Sequence, residues 1–116
     1  MEESTITKKT FTLPPETELR IEVDPQDSLK LTLVTGDAEC FGTELARDET
    51  YTLKNCRLAF FTWSGCEISV DGTFASAYIG SETPYPTYVN LHSQLERLRS
   101  IAASEDRAGP RVMIVG

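Results

Sequence analysis

The sequence is poor in the residues from which metal sites and disulfide frameworks are built. It holds one histidine, His92, and three cysteines with no CxxC spacing among its 116 residues. A lone histidine with scattered carboxylates does not complete a transition-metal site. Cys40, Cys56 and Cys66 are odd in number and lie in apolar segments, which indicates small buried side chains with free thiols in a reducing compartment.

Positive charge is also scarce, and so are long apolar runs. Eleven Lys and Arg against eighteen Asp and Glu give a net charge of −7. Phosphate backbones are held by basic stripes, so we do not expect this chain to be a surface that grips RNA. No apolar run is long enough to span a bilayer and no charged-then-apolar leader is visible, which predicts a soluble protein with no membrane partner and no classical secretion signal.

What the sequence does contain is a series of short strand patterns. At 116 residues and 40% hydrophobic content, the chain suits one domain that buries a core without staples. The runs that favour strands are residues 10–13, 18–23, 29–33, 38–41, 51–53, 57–63, 66–70 and 74–79. About eight short strands with turns at brief intervals predict an all-β fold, an antiparallel β-sandwich or small barrel.

The densest of these runs, residues 57–63, carries aromatic side chains on both faces, so we expect it to be covered on both sides. Its tryptophan, Trp63, is predicted to pack in the core, in preference to serving as a stacking platform for a base. Ser64-Gly65 and Asp71-Gly72 have the length and composition of tight hairpin turns. The centre of the chain is therefore predicted to be an antiparallel meander, and residues 18–33 a further hairpin.

After residue 80 the pattern changes to that of a helix. Residues 81–108 are predicted to be a linker with one amphipathic helix from residue 87 to about 103. Its apolar residues recur at steps of three and four: Tyr88, Leu91, Leu95, Leu98 and Ile101. Residues 1–9 are polar and predicted to be flexible, which leaves residues 10–80 as the sandwich.

Residues 109–116 form a separate block, Gly-Pro-Arg followed by a continuous apolar run that Gly116 closes. A continuous apolar run is typical of a strand buried on both faces of a parallel sheet. No other run of this type occurs in the chain, so these residues are predicted to be the start of a second, truncated domain.

Several sequence blocks together closely resemble the amino-terminal part of the eukaryotic Clp-one family. The blocks are FGTEL at residues 41–45, FTW at 61–63 with Gly65, TP at 83–84, YVNLH at 88–92, LE at 95–96 and GPRVMIVG at 109–116. They cover nearly the whole chain in the family's order. Members of this family are polynucleotide 5′-hydroxyl kinases and subunits of the mRNA 3′-end cleavage factor. The resemblance implies the family's amino-terminal β-domain, its linker helix and the first strand of its P-loop kinase domain.

The resemblance also implies residues that bind a cofactor. Gly116 matches the first glycine of the Walker A loop, whose backbone N–H groups point at phosphates while a following lysine and Ser/Thr serve phosphate and Mg²⁺. ATP and Mg²⁺ are thus implied for the parent protein, whereas this chain alone is expected to hold neither, nor any catalytic or metal-binding residue. Glu18 and Arg57 match positions that contact the adenine. The alternative, that both are solvated strand charges, stays open.

The function implied is that of an accessory domain that closes the adenine side of the nucleotide site. The expected partners are ATP and, through the parent protein, cleavage-factor subunits, with RNA bound by the kinase domain. The expected location is the nucleus, with a further role in tRNA splicing in animals. Whether the parent is an active kinase stays open, because the chain also suits an interaction module in which nucleotide is a structural ligand. A free-standing sandwich that binds sugar or peptide has only the fold in its favour.

Overall fold

The computed structural model of the chain describes residues 6–116, and it consists of two antiparallel sheets followed by one helix. The strands are β1 Thr7–Leu13, β2 Thr17–Val23, β3 Leu29–Gly36, β4 Glu39–Cys40, β5 Thr43–Glu44, β6 Thr50–Leu53, β7 Cys56–Thr62, β8 Cys66–Gly72 and β9 Ser76–Gly80, and the helix is α1 Tyr85–Ser104. The chain divides after Thr83 into two compact units, the sandwich and the segment that contains α1. The predicted all-β sandwich is confirmed.

The two sheets share one apolar core. The first sheet has the order β1-β8-β3-β6 and the second has the order β5-β4-β7-β2-β9. Successive side chains of a strand point to opposite faces, so the apolar half of each alternating pattern turns inward. The core is formed by Phe11, Leu13, Leu19, Ile21, Val23, Leu29, Leu31, Leu33, Ala38, Phe60, Cys66, Ile68 and Val70, each at most 6% exposed.

The predicted meander is wrong, because consecutive strands lie in opposite sheets. Among the described residues, only β4 and β5 follow one another in sequence and also pair. Three residues, Trp63 to Gly65, carry the chain from β7 in the second sheet to β8 in the first. Asp71 and Gly72 are no hairpin turn: they end β8 and pair with β1 and β3. The same crossing separates β2 from β3, so the predicted hairpin of residues 18–33 is also wrong.

The core position predicted for Trp63 is wrong as well. Phe60 and Phe61 are buried on the two faces of β7, which confirms coverage of the second half of that strand on both sides. Trp63 lies just past the strand end and is 38% exposed. Its ring meets that of Phe61 edge to face at 4.8 Å, and its indole Nε1–H donates to Glu39 Oε1 at 3.3 Å. The polar end of the ring therefore finds its partner at the surface.

The cysteines are free thiols in the structure, as expected, but only one of them is buried. Cys66 lies in the core, whereas Cys40 and Cys56 are half-buried near the ends of short strands. Desolvation raises the pKa values of Cys40 and Cys66, so both thiols stay protonated at neutral pH.

The predicted ends of the chain need two corrections. Residues 1–5 lie outside the described part, but residues 7–9, expected to be flexible, belong to β1 and pair with β8. Residues 109–116 form no strand in the described chain, and Val112 to Val115 are each at least 61% exposed; their assignment to the start of a second domain stays a prediction. A strand needs a neighbour for its backbone N–H and C=O groups, and the described chain offers none to this run.

The predicted helix is confirmed with slightly wider bounds. It begins at Tyr85, with Pro86 in its first turn where a missing N–H costs nothing, and ends at Ser104. Its apolar positions are less covered than expected, since Tyr88, Leu91 and Leu98 are each about half exposed, at 60%, 51% and 47%. Ala102 is its one buried residue.

The Asp37 carboxylate accepts hydrogen bonds from the segment that connects β7 with β8. We expect Asp37→Asn to destabilise the chain by an amount that depends on pH. The Ser64 hydroxyl donates to Oδ1 and the Trp63 N–H donates to Oδ2 at 3.2 Å. The hydrogen bond from Ser64, followed by the backbone bonds, lowers the pKa of Asp37 below its ordinary value of 3.8. A lowered folded-state pKa stabilises the fold above the unfolded-state pKa, and this contribution is lost as the pH falls through the folded-state pKa.

Urea unfolding at neutral pH should show Asp37→Asn less stable by about 0.5–1 kcal/mol, a small effect because the carboxylate is partly solvated. The difference should shrink steadily below about pH 4. Asp71→Asn, a change at an exposed strand end, is the matched control and should leave stability nearly unchanged. An equal loss for Asp37→Asn at both pH values would contradict the role of the carboxylate.

Candidate functional site

The second sheet turns one face away from the core, and this outer face carries both predicted base-contacting residues, Glu18 and Arg57. Side chains of directly paired residues point to the same side of a sheet. The pairs are Glu18 with Phe61, Arg20 with Ala59 and Tyr78, and Glu22 with Arg57 and Ser76. Glu18 and Arg57 therefore share the outer face, as their proposed common role requires.

A depression of about 290 Å³ lies in this outer face. The short side chain of Ala59 leaves the space, and longer side chains surround it. Among them are Arg20, Phe41, Arg57 and Tyr78. Phe41 and Tyr78 are 70% and 51% exposed, so both rings are available for stacking. The volume is just below the range of about 300–1,000 Å³ found for the pockets of drug-sized ligands, which suits one ring system.

Arg57 lies in the depression and keeps its guanidinium accessible. Its Nε donates to Glu22 Oε1 at 3.0 Å, and its Nη2 is 2.9 Å from the same oxygen. The Arg57 side chain is nevertheless 83% exposed. Exposed ion pairs of this kind contribute about 0–1 kcal/mol, so a ligand can replace Glu22 at little cost.

Glu18 is a buried carboxylate beyond the other end of the depression. Its side chain is 9% exposed, and its Oε1 accepts from Arg20 Nη2 at 2.8 Å and from Arg20 Nε at 3.0 Å. The pairing register places Glu18 four positions from Arg57, about 13 Å along the strands. The structure thus brings the two residues onto one face without contact between them, and their contact with a base stays a prediction.

Arg20 lies between them and was missed by the sequence analysis. Its Nη2 also donates to the backbone carbonyl oxygen of Glu82 at 2.8 Å, and its Cζ is 5.8 Å from the centroid of the Tyr78 ring. Hydrogen bonding to Tyr78 and to Glu18 raises the pKa of Arg20. The alternation of β2 already places Arg20 on the face of Glu18, which was the available signal. Nothing in the sequence shows that β9 lies beside β2.

Gly116, the third predicted site residue, lies at the exposed end of the described chain, and no atom lies within 4 Å of where a Cβ would be. Within residues 6–116, no three His, Cys, Asp or Glu side chains are grouped so that they could hold a metal ion. No helix in that range is both long and apolar enough to cross a membrane.

Comparison with known proteins identifies the family. Residues 12–102 match the profile of the N-terminal β-sandwich domain of polyadenylation factor. Proteins named polyribonucleotide 5′-hydroxyl-kinase Clp1 from Homo sapiens and Danio rerio are 46% and 43% identical over 107 residues, 91% of this chain. The match covers 25% and 24% of those proteins, so the chain spans about a quarter of their length.

Two solved structures share the fold. One is described as the extended interface between Pcf11p and Clp1p with the structural basis of ATP loss in a point mutant; it has a TM-score of 0.76 and 26% identity over 95% of this chain. The other, a wild-type Clp1p–Pcf11p complex, has a TM-score of 0.78 and 25% identity over 97% of this chain. Each match covers 26% of the solved chain. The chain belongs to the Clp1 N-terminal β-sandwich domain family.

Proposed function

We propose that this domain is the accessory domain of a Clp1-type, ATP-binding RNA 5′-hydroxyl kinase-like protein and closes the adenine side of its nucleotide site. The observation that carries the proposal is the outer-face depression, a ring-sized space with the Arg57 guanidinium in it, two exposed aromatic rings beside it and the Glu18 carboxylate beyond it. A guanidinium donates to a ring nitrogen or stacks on a base, and a carboxylate accepts from an exocyclic amino group.

The residues present fit the base of ATP and not its triphosphate. Triphosphate and Mg²⁺ require a glycine-rich loop with a lysine and a Ser/Thr, of which Gly116 would be the first residue. The described chain groups no acidic side chains for a metal ion. In the whole protein, the phosphates and Mg²⁺ would therefore be held by residues beyond Gly116, and this domain would bind and orient the adenine.

The remaining partners follow from the relatives and from charge. The matched profile is that of a polyadenylation factor domain and the solved neighbours are complexes with Pcf11p, which supports a place in pre-mRNA 3′-end processing. This work would take place in the nucleus, with a further role in tRNA splicing in animals. The chain has a net charge of −7, which disfavours contact with a phosphate backbone. RNA would therefore be bound by other parts of the protein. Because both neighbours are complexes, a non-catalytic scaffold with nucleotide as a structural ligand is the second candidate.

In the protein extended to the full length of its relatives, Glu18→Ala and Arg57→Ala should each weaken ATP binding by a few-fold to about tenfold, the effect of one lost hydrogen bond. Isothermal titration calorimetry measures it. For Glu18→Ala, the loss should be smaller with purine riboside triphosphate, which lacks the adenine amino group. Glu49→Ala and Lys30→Ala are matched controls at exposed positions away from the outer face.

The 116-residue chain alone should show no ATP binding at millimolar concentration, since one or two hydrogen bonds do not offset the immobilisation of a ligand. Should both full-length variants bind ATP and GTP as the unaltered protein does, Glu18 and Arg57 are ordinary strand charges. The nucleotide role of the outer face would then be refuted, and the scaffold function would remain.

A further inference from the structure

The Glu18 carboxylate is held in an unusual way for a surface strand residue. Burying a carboxylate is costly unless a partner of opposite charge and hydrogen bonds compensate. Arg20 supplies both, and its two hydrogen bonds end on the same oxygen, Oε1. The second oxygen, Oε2, receives neither bond from Arg20. The pair therefore fixes the orientation of the carboxylate while Arg20 leaves one of its oxygens to another donor.

Arg20 is itself held from the neighbouring strand and the segment after it. Nη2 donates to the carbonyl oxygen of Glu82, and the guanidinium lies near the ring of Tyr78. The guanidinium also lies against Gly80, where an added Cβ would be 2.8 Å from Arg20 Cζ. Glycine at this position leaves the room that the guanidinium occupies. The contacts of Arg20 with β9 and with Glu82 thus fix its guanidinium, and the guanidinium determines where the Glu18 carboxylate points.

We propose that Arg20 is a positioning residue that orients Glu18 to select a purine with an exocyclic amino group over one with a carbonyl oxygen at that place. The inference rests on the proposed binding of a base at the outer face. An ionised carboxylate only accepts hydrogen bonds, so it favours the amino group of adenine and opposes the oxygen of guanine. A carboxylate free to rotate would lose this discrimination before it lost the other contacts to the nucleotide.

The test compares ATP and GTP binding by calorimetry in the protein extended to the full length of its relatives. Arg20→Gln keeps a hydrogen-bond donor but removes the positive charge and the paired donation from Nε and Nη2. The ATP-over-GTP preference should therefore fall roughly fivefold to tenfold. Arg20→Lys retains the charge and should restore part of the preference. Lys30→Gln, at an exposed position of the first sheet, is the matched control and should change neither affinity.

Gly80→Ala provides a variant that alters no charge. The backbone of Gly80 lies outside the left-handed region, so alanine introduces no strain there and acts by displacing the guanidinium. It should lower the ATP-over-GTP preference as Arg20→Gln does. Thermal unfolding of each variant, measured in parallel, identifies any general loss of structure, which would weaken ATP and GTP alike.

The outcomes separate this inference from the proposed function. If Glu18→Ala leaves the preference unchanged, base recognition by Glu18 fails, and the positioning role of Arg20 fails with it. If Glu18→Ala abolishes the preference while Arg20→Gln and Gly80→Ala retain it, only the positioning role is overturned. If Arg20→Gln weakens ATP and GTP equally, Arg20 is structural and the inference is again overturned.

Discussion

Phe60→Ala is expected to lower the free energy of unfolding of this chain by roughly 3–5 kcal/mol. Phe60 is 2% exposed and lies on the inner face of β7, where it pairs with Leu19 of β2 and Cys40 of β4. Removing its ring takes apolar surface out of the shared core and leaves a cavity that two sheets cannot close without moving their backbones. The loss is a large share of the 5–15 kcal/mol typical of native domains.

Denaturant unfolding checks this expectation, with two other aromatic residues as comparisons. Trp63→Ala should cost less, about 1–2 kcal/mol, because the residue is 38% exposed and part of its ring contacts the buried ring of Phe61. Phe41→Ala, at a ring that is 70% exposed, should stay within about 0.5 kcal/mol of the unaltered chain. Equal losses for Phe60→Ala and Trp63→Ala would contradict the exposed position of the indole.

Gly36→Ala is the second change with a large expected effect, about 2–5 kcal/mol of destabilisation. Gly36 has a φ of +81°, a left-handed conformation that costs other residues about 1–2 kcal/mol. An added Cβ would also lie 2.2 Å from the carbonyl oxygen of Gly65 and 2.8 Å from Cys66 Cα. Both are backbone atoms, one in the last residue before β8 and one in the first residue of β8, so no side chain can move aside to relieve the clash.

Gly42→Ala separates the two causes. Gly42 also has a positive φ, +91°, but no atom lies within 4 Å of where its Cβ would be. It should therefore show the conformational cost alone, about 1–2 kcal/mol. Denaturant unfolding of both variants makes the comparison. Indistinguishable losses would show that the close approach of Gly36 to the Gly65 carbonyl contributes nothing.

Most strands of the sandwich and the helix could be predicted from the sequence, and the pairing of the strands could not. Alternation along β2 identifies the inward residues correctly, because one apolar face per strand is required whichever sheet the strand joins. The local pattern does not depend on which sheet a strand joins, and this explains why the hairpin predicted at Ser64-Gly65 is wrong. A short glycine-containing turn suits a hairpin within one sheet, and it suits equally a crossing between two sheets. Only the packing of the whole chain decides between them.

In the candidate site, too, the features within one strand could be predicted and those that depend on strand pairing could not. That Glu18, Arg20 and Glu22 share a face follows from their even spacing on one strand. That Tyr78 and Gly80 flank Arg20 depends on the pairing of β2 with β9, strands more than fifty residues apart in the chain. Trp63 was misplaced because apolar composition was extended past the end of β7, where a ring with a polar N–H finds a carboxylate at the surface.

The crossing of consecutive strands between the sheets has a consequence for how the chain folds. The one pair of consecutive strands that bonds within the described residues, β4 with β5, has two residues on each side, too few to act as a nucleus. Every other ladder must first close a longer loop, and topologies dominated by such contacts fold in milliseconds to seconds. The central strand β8 joins β1 to β3, so the first sheet cannot be completed on the ribosome before Gly72 has emerged.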